Sequence, residues 1–211
     1  MKTAIRLVLG LIFLGAVIFI ASLFLPKMSR EFFRTELSAY EFNLLAESKP
    51  INQVALVDTL GNSFSDAKFQ GKWNLIFFGF THCPEICPTT LSTLDSSIQL
   101  IAREAASLNY QFIFVTVDPA RDTAARMKEY IAQFNNEIIG LTGSPEEIKK
   151  LSANLFVAFD KSANGDEADY TMNHSSQLLV INPQGQFIGY FRTPLKAENI
   201  SQAYQILQSH F

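Results

Sequence analysis

Two cysteines, Cys83 and Cys87, stand together in FFGFTHCPEICPTTL, residues Phe77 to Leu91, and the chain holds no others. Their spacing is C-x-x-x-C, one residue wider than the pair of a thiol–disulfide enzyme. On a helical turn, a four-residue step puts both sulfurs on one face with Cα atoms about 6 Å apart. Pro84 and Pro88 stiffen the segment without needing an amide donor from it. A helix beginning close behind favours thiolate over thiol through its dipole. Thiolate is the species that a nucleophile and a soft-metal ligand both require. A local disulfide is the third use of such a pair, but closing so small a loop constrains the unfolded chain little.

Two sulfurs do not complete a tetrahedral structural zinc site, which takes four protein ligands. Three histidines are available: His82, His174 and His210. His174 follows a polar stretch and precedes the apolar run QLLV, which puts it at a strand edge rather than inside a core. Two thiolates and one imidazole suit Cu(I) and can hold Cu(II). His82, next to Cys83, is a candidate fourth ligand or proton carrier, or simply a solvated loop histidine. His210 falls in the last turn of a helix, where a cation suits the dipole. Asp118 ends a buried strand near the pair, where it could orient a ligand. With Arg121 and Asp122 it reads equally well as a helix cap and ion pair. The residue types alone leave redox chemistry, metal capture and a structural disulfide open.

From Val54 onward, short apolar runs alternate with helical stretches. Val54–Asp58 and Asn74–Phe80 predict strands, the second apolar on both faces and therefore buried mid-sheet. Leu91, Leu94, Ile98 and Ile101 recur at three- and four-residue steps, a helix face within Thr89–Ser107. Gln111–Asp118 predicts another buried strand, and Thr123–Phe134 and Pro145–Leu155 predict helices. The second of these opens with Ser144 as N-cap, Pro145 at the first position and Glu147 three residues after the cap. Phe156–Phe159 reads as a short strand and Asp160–Asn173 as a polar loop, with Asp166–Asp169 a solvated acidic turn. Ser176–Asn182 and Gln186–Phe191 flank Pro183-Gln184-Gly185 as a hairpin, and Lys196–His210 closes as an amphipathic helix. This order predicts an α/β thioredoxin-like sandwich, a central mixed sheet flanked by helices. Functional groups gather at the carboxyl ends of parallel strands. Asn74–Phe80 runs from such an end straight into Thr81-His82-Cys83, with Phe77, Phe78 and Phe80 around the pair as ordinary core or, alternatively, as a dry wall.

A chain of 211 residues, 48% apolar and with a net charge of −3, has room for one packed domain plus an appendage. No basic stripe suits nucleic acid. Leu7 to Leu25 carries no charge; as a helix it would span roughly 28 Å, close to the hydrocarbon thickness of a bilayer. The run exceeds a signal-peptide core and lacks a small-x-small site behind it. The expected organisation is a short tail at 1–6, a transmembrane anchor at 7–25 and a linker at 26–50 made of a short helix and a loop. A thioredoxin-like domain follows at 51–211. A single-pass N-terminal anchor of this kind places the body in the periplasm of a bacterial inner membrane or an equivalent oxidising space.

GFTHCPEICPTTL, VTVDPARDT at Val115–Thr123, IGLTG at Ile139–Gly143 and DYTMNHS at Asp169–Ser175 occur in this order. Together they resemble the SCO/SenC family, membrane-anchored thioredoxin-fold copper proteins that help assemble cytochrome c oxidase. The resemblance runs from about Val54 to the C-terminal helix. It implies that Cys83 and Cys87 take the place of the family's two thiolate ligands and His174 that of its imidazole ligand. One copper ion, Cu(I) or Cu(II), is then bound per chain. Glu85 stands where the family often has Asp, and this carboxylate, Asp118 and His82 are the candidates to support the ligands. The implied partner is subunit II of cytochrome c oxidase at its binuclear CuA site, with another copper chaperone or a thiol–disulfide protein as a further one. The implied role is a metallochaperone without turnover. Its alternatives are a thiol–disulfide reductase acting through Cys83 and Cys87 on the CuA cysteines, a redox or copper sensor, and a thiol peroxidase. An imidazole at His174 separates the first two, because a disulfide reductase has no need of it.

Overall fold

The computed structural model describes residues 13–15, 18–19, 30–104, 109–162 and 170–210. Residues 30–38 form helix α1, followed by strands β1 (Phe42–Pro50), β2 (Ala55–Asp58) and β3 (Ser63–Ser65). A 3-10 turn at Asp66–Phe69 leads into β4 (Trp73–Gly79). Then come α2 (Ile86–Glu104), β5 (Tyr110–Thr116), α3 (Ala124–Ala132), β6 (Ile139–Thr142) and α4 (Pro145–Asn154). The chain closes with β7 (Phe159–Lys161), β8 (Met172–His174), β9 (Leu178–Ile181), β10 (Gln186–Phe191) and α5 (Ala197–His210).

Every residue of β4 is buried, so the strand needs partners on both edges and cover on both faces. It pairs in parallel with β5 and antiparallel with β9, and β5 continues in parallel to β6. The whole sheet runs β1-β10-β9-β4-β5-β6-β2-β3, with β7 and β8 forming a separate two-stranded ribbon. Leu91, Leu94, Ile98 and Ile101 of α2 are all buried, as the helical period requires, and α2 packs on α5. Thr123 caps α3 by accepting from the Arg126 amide, and Ser144 caps α4 by accepting from that of Glu147. This is the mixed, helix-flanked sheet that the sequence predicts. Its parallel centre, β4-β5-β6, delivers the chain after Gly79 at a carboxyl end.

Three local expectations are corrected. The loop half of the expected linker at 26–50 is strand β1, which pairs with β10 through Phe42 opposite Phe191 and Leu44 opposite Gly189. Gly189 permits this, since a Cβ there would meet the Asn43 carbonyl oxygen and the Phe42 ring. Helix α1 is not a free linker either: Phe33 and Leu37 lie in the core, and Phe33 stacks on His210 of α5 at 4.2 Å. Phe156–Phe159 is not a strand, because Phe156 turns through a positive φ of 55° with its ring exposed, and β7 begins only at Phe159. Strand β6, absent from the predicted order, joins the parallel core to the β2–β3 hairpin.

The expected anchor at 7–25 lies largely outside the described residues, as does the acidic turn Asp166–Asp169. Among the described residues no helix is long and apolar enough to cross a membrane.

Candidate metal centre

After Gly79 the chain turns through Phe80, Thr81 and His82, and the Cys83 amide donates to the Phe80 carbonyl at 3.2 Å. Helix α2 begins three residues later, so its first amides lack helical partners. The Cys83 sulfur fills that role, accepting from the Cys87 amide at 3.3 Å. It thus sits at the positive end of the helix. Cys87 is buried, and Cys83 lies half-buried beside it. Gly79 makes the close seat possible: a Cβ there would fall 2.8 Å from the Cys87 sulfur and 2.7 Å from the Phe114 ring.

The two thiols divide one proton unequally. Donation from the Cys87 thiol is the largest influence on Cys83, outweighing the opposing effect of burial. The backbone amides of Cys87 and Glu85 add to it, and the Cys83 thiol is lowered to about 3. Cys87 is driven the other way, its proton retained by that same hydrogen bond and by burial. The resting pair is one half-exposed thiolate backed by one buried thiol.

The third donor arrives on the β7–β8 ribbon, where His174 pairs with Phe159. The ribbon's base is tied by Ser175 N–H to the Ala158 carbonyl at 2.9 Å. His174 Nδ1 lies 3.0 Å from the Ser175 carbonyl oxygen, an acceptor only, so this nitrogen carries the proton. Nε2 is left with its lone pair, 3.7 Å from the Cys87 sulfur. Phe77 and Phe80 hold the imidazole edge-on, each with ring centroids 5.9 Å away. The Cys83, Cys87 and His174 donor atoms all lie within 4.8 Å of one another. Two sulfurs and an oriented imidazole nitrogen, walled by phenyl rings, fit a single soft or borderline ion.

The other candidates divide. Asp118 is buried and receives the Arg121 guanidinium and, at 2.6 Å, the Tyr170 hydroxyl. Arg121 also donates to the Tyr170 carbonyl at 2.8 Å and lies over its ring. Asp118 therefore anchors the chain four residues before His174 rather than touching the sulfurs. The Glu85 side chain is exposed, and only its backbone serves Cys83. His82 lies outside the three-donor cluster, against the Thr81 hydroxyl at 3.3 Å and the Asp122 carboxylate at 3.8 Å. His210 belongs to the α1–α5 contact.

One supporting residue, read from the sequence only as part of a helix cap and ion pair, does something else. Asp122 is fully buried and accepts from the Thr81 amide at 3.0 Å and from the Thr81 and Thr116 hydroxyls at 2.6 and 2.7 Å. Arg126 donates to that same Thr81 hydroxyl at 2.8 Å. Asp122 thus fastens the turn two residues before Cys83 to the end of β5.

Comparison with known proteins bears on this centre. The family model described as SCO1/SenC matches residues 46–208. A Stutzerimonas stutzeri protein named as copper-binding is 38% identical over 167 residues, 79% of this chain and 81% of its own. Protein sco1 of Schizosaccharomyces pombe is 40% identical over 151 residues, 71% of this chain but 57% of its own length. The crystal structure of yeast Sco1 with copper bound shares 30% identity and superposes with a TM-score of 0.70 over 77% of this chain and 91% of that one.

Proposed function

This chain belongs to the SCO1/SenC family, and we propose that it is a copper metallochaperone serving the CuA site of cytochrome c oxidase subunit II. The observation that carries the reading is the convergence of Cys83, Cys87 and His174 in a chain whose relatives include a Sco1 structure with copper bound. Copper is the cargo. Cys83 meets it as a thiolate, Cys87 gives up its proton on binding, and the His174 ring is already turned with Nε2 inward. Half-exposed Cys83 is the sulfur that a partner's thiolates can reach first, so transfer by ligand exchange begins there. An anchor at 7–25 would hold this head at the outer face of the membrane that carries the oxidase.

A second reading has its own observation. A half-exposed thiolate backed by a buried thiol is also the layout of an attacking and a resolving cysteine. In that role the pair would reduce the CuA cysteines so that the site can be loaded, or report redox state to a partner.

His174→Ala separates the two. It removes one of three donors, so copper affinity should fall 10–100-fold or more. Thiol exchange follows thiolate character and access, so reduction of a model disulfide by the purified chain should be retained. In cells grown at limiting copper, the chaperone reading expects loss of CuA assembly in this variant. Full oxidase activity there would instead support the reductase.

A further inference from the structure

A second recess lies at the other pole of the sheet. A cleft of about 670 Å³ opens between the β2–β3 turn, the 3-10 turn, the start of β4 and the last turns of α3. Lys72, next to the first residue of β4, lines it, whereas the copper-site loop leaves the strand's last residue. Seven residues of strand put roughly 20 Å between the two. The cleft's volume is that of a small-molecule site.

Three exposed lysines, Lys68, Lys72 and Lys128, line this one cleft. Among the described residues none of the three forms an ion pair. Their single acidic neighbour in the lining, Asp58, is committed elsewhere. Its oxygens accept from the Leu60 amide at 2.8 Å and from the Asn62 amide and side chain at 2.9 Å. The lining also holds apolar side chains, among them buried Phe64 and Ile131 and Leu60, which is 69% exposed. Three lysines against the one carboxylate of Asp58 leave the lining with a surplus of positive charge. A multiply charged oxyanion offsets that surplus, and an apolar body attached to it would cover the exposed leucine.

We propose that this cleft binds a phosphate group, and that the group belongs to an amphiphile. Lysine serves phosphate as a point charge without a fixed fork, and three lysines match the several oxygens and multiple charge of a phosphate ester better than one carboxylate. The phosphate meets Lys68, Lys72 and Lys128 while the apolar part lies along Leu60, Phe64 and Ile131. Because the cleft and the Cys83–Cys87–His174 cluster occupy opposite poles, both can be filled at once. The assignment does not depend on the copper reading.

The test uses the full chain in a non-ionic detergent, titrated in parallel with inorganic phosphate and with a short-chain phosphatidylglycerol. Binding is read by calorimetry and by protection of the three lysines from acetylation, mapped by mass spectrometry. Each lysine near an anionic headgroup is worth roughly a 5-fold change in affinity. Lys68→Gln/Lys72→Gln/Lys128→Gln should therefore weaken binding by roughly 100-fold, whereas Lys149→Gln, on α4, should leave it unchanged. Added salt should weaken binding in the parent chain. Tighter binding of the lipid than of phosphate identifies a headgroup. Equal binding identifies free phosphate and overturns the amphiphile part of the proposal. No saturable binding of either probe, or binding that survives in the triple variant, overturns the site. Unchanged copper stoichiometry in the triple variant shows that its fold is intact and keeps this outcome separate from the fate of the chaperone reading.

Discussion

The division of one proton between the two thiols can be read directly from the pH dependence of Cys83 alkylation. An ordinary cysteine titrates near 8.5, so its thiolate fraction, and its rate, rises about tenfold per pH unit between 5 and 8. Cys83 is lowered to about 3, so it is already thiolate throughout that window. Lowering the pH to 5 therefore strips an ordinary thiol of its reactive form and leaves Cys83 a thiolate. Its thiolate is, however, a weaker nucleophile. With a Brønsted coefficient of 0.4–0.5 over a shift of five to six units, the intrinsic rate falls roughly 300-fold. Cys83 should therefore react about tenfold faster than a free cysteine peptide at pH 5, match it at about pH 6, and lag well behind it at pH 8. The assay is iodoacetamide labelling of the reduced, metal-free chain, quenched at intervals, with the Cys83 peptide followed by mass spectrometry. Buried Cys87 should stay unmodified. A rate that climbs tenfold per pH unit from 5 to 8 would refute the shared-proton arrangement.

Other perturbations address the packing that holds the donors. Gly79→Ala pushes a Cβ to within 2.8 Å of the Cys87 sulfur; overpacking of this kind costs about 1–3 kcal/mol, and a thermal melt should show it as a drop of roughly 2–4 °C per kcal/mol. The same variant should bind copper more weakly because the sulfur must move, and unchanged affinity would show that the seat is not tight. Asp122→Asn removes a charge and sets an amide donor among the Thr81 and Thr116 donors. One unsatisfied buried group costs about 1–3 kcal/mol. A melting temperature equal to that of the parent would show that this carboxylate does not fasten the turn.

Much of the architecture was legible because its signals are local and redundant. NLIFFGF is apolar on both faces, and the Ser144-Pro145 cap and the Pro183-Gln184-Gly185 turn each carry their own stereochemistry. Strand β1 escaped because only Phe42 and Leu44 of FNLLAESKP are fully buried, and a charged half-buried edge strand resembles a linker. Four-residue β6 is too short to show a period, although its IGLTG motif stands out. At the site, cysteine spacing placed two donors. His174 comes from a distant ribbon, and the family resemblance rather than any local pattern pointed to it. Asp122 read as part of a loop-to-helix cap and ion pair, since nothing in VDPARD says which aspartate turns inward to Thr81. Gly79 carried a readable cue, a lone glycine inside a buried strand, which marks a close approach; what approaches is the Cys87 sulfur.

Whether Cys83, Cys87 and His174 together hold one copper ion is tested most directly by the copper-to-protein ratio. The full chain, reduced and loaded anaerobically with Cu(I), should retain one copper per chain after unbound metal is removed. Cys83→Ser/Cys87→Ser should retain essentially none under the same treatment, while His82→Ala keeps the full amount. Stoichiometric copper in the double-serine variant, or its loss in His82→Ala, would contradict the assignment of this centre.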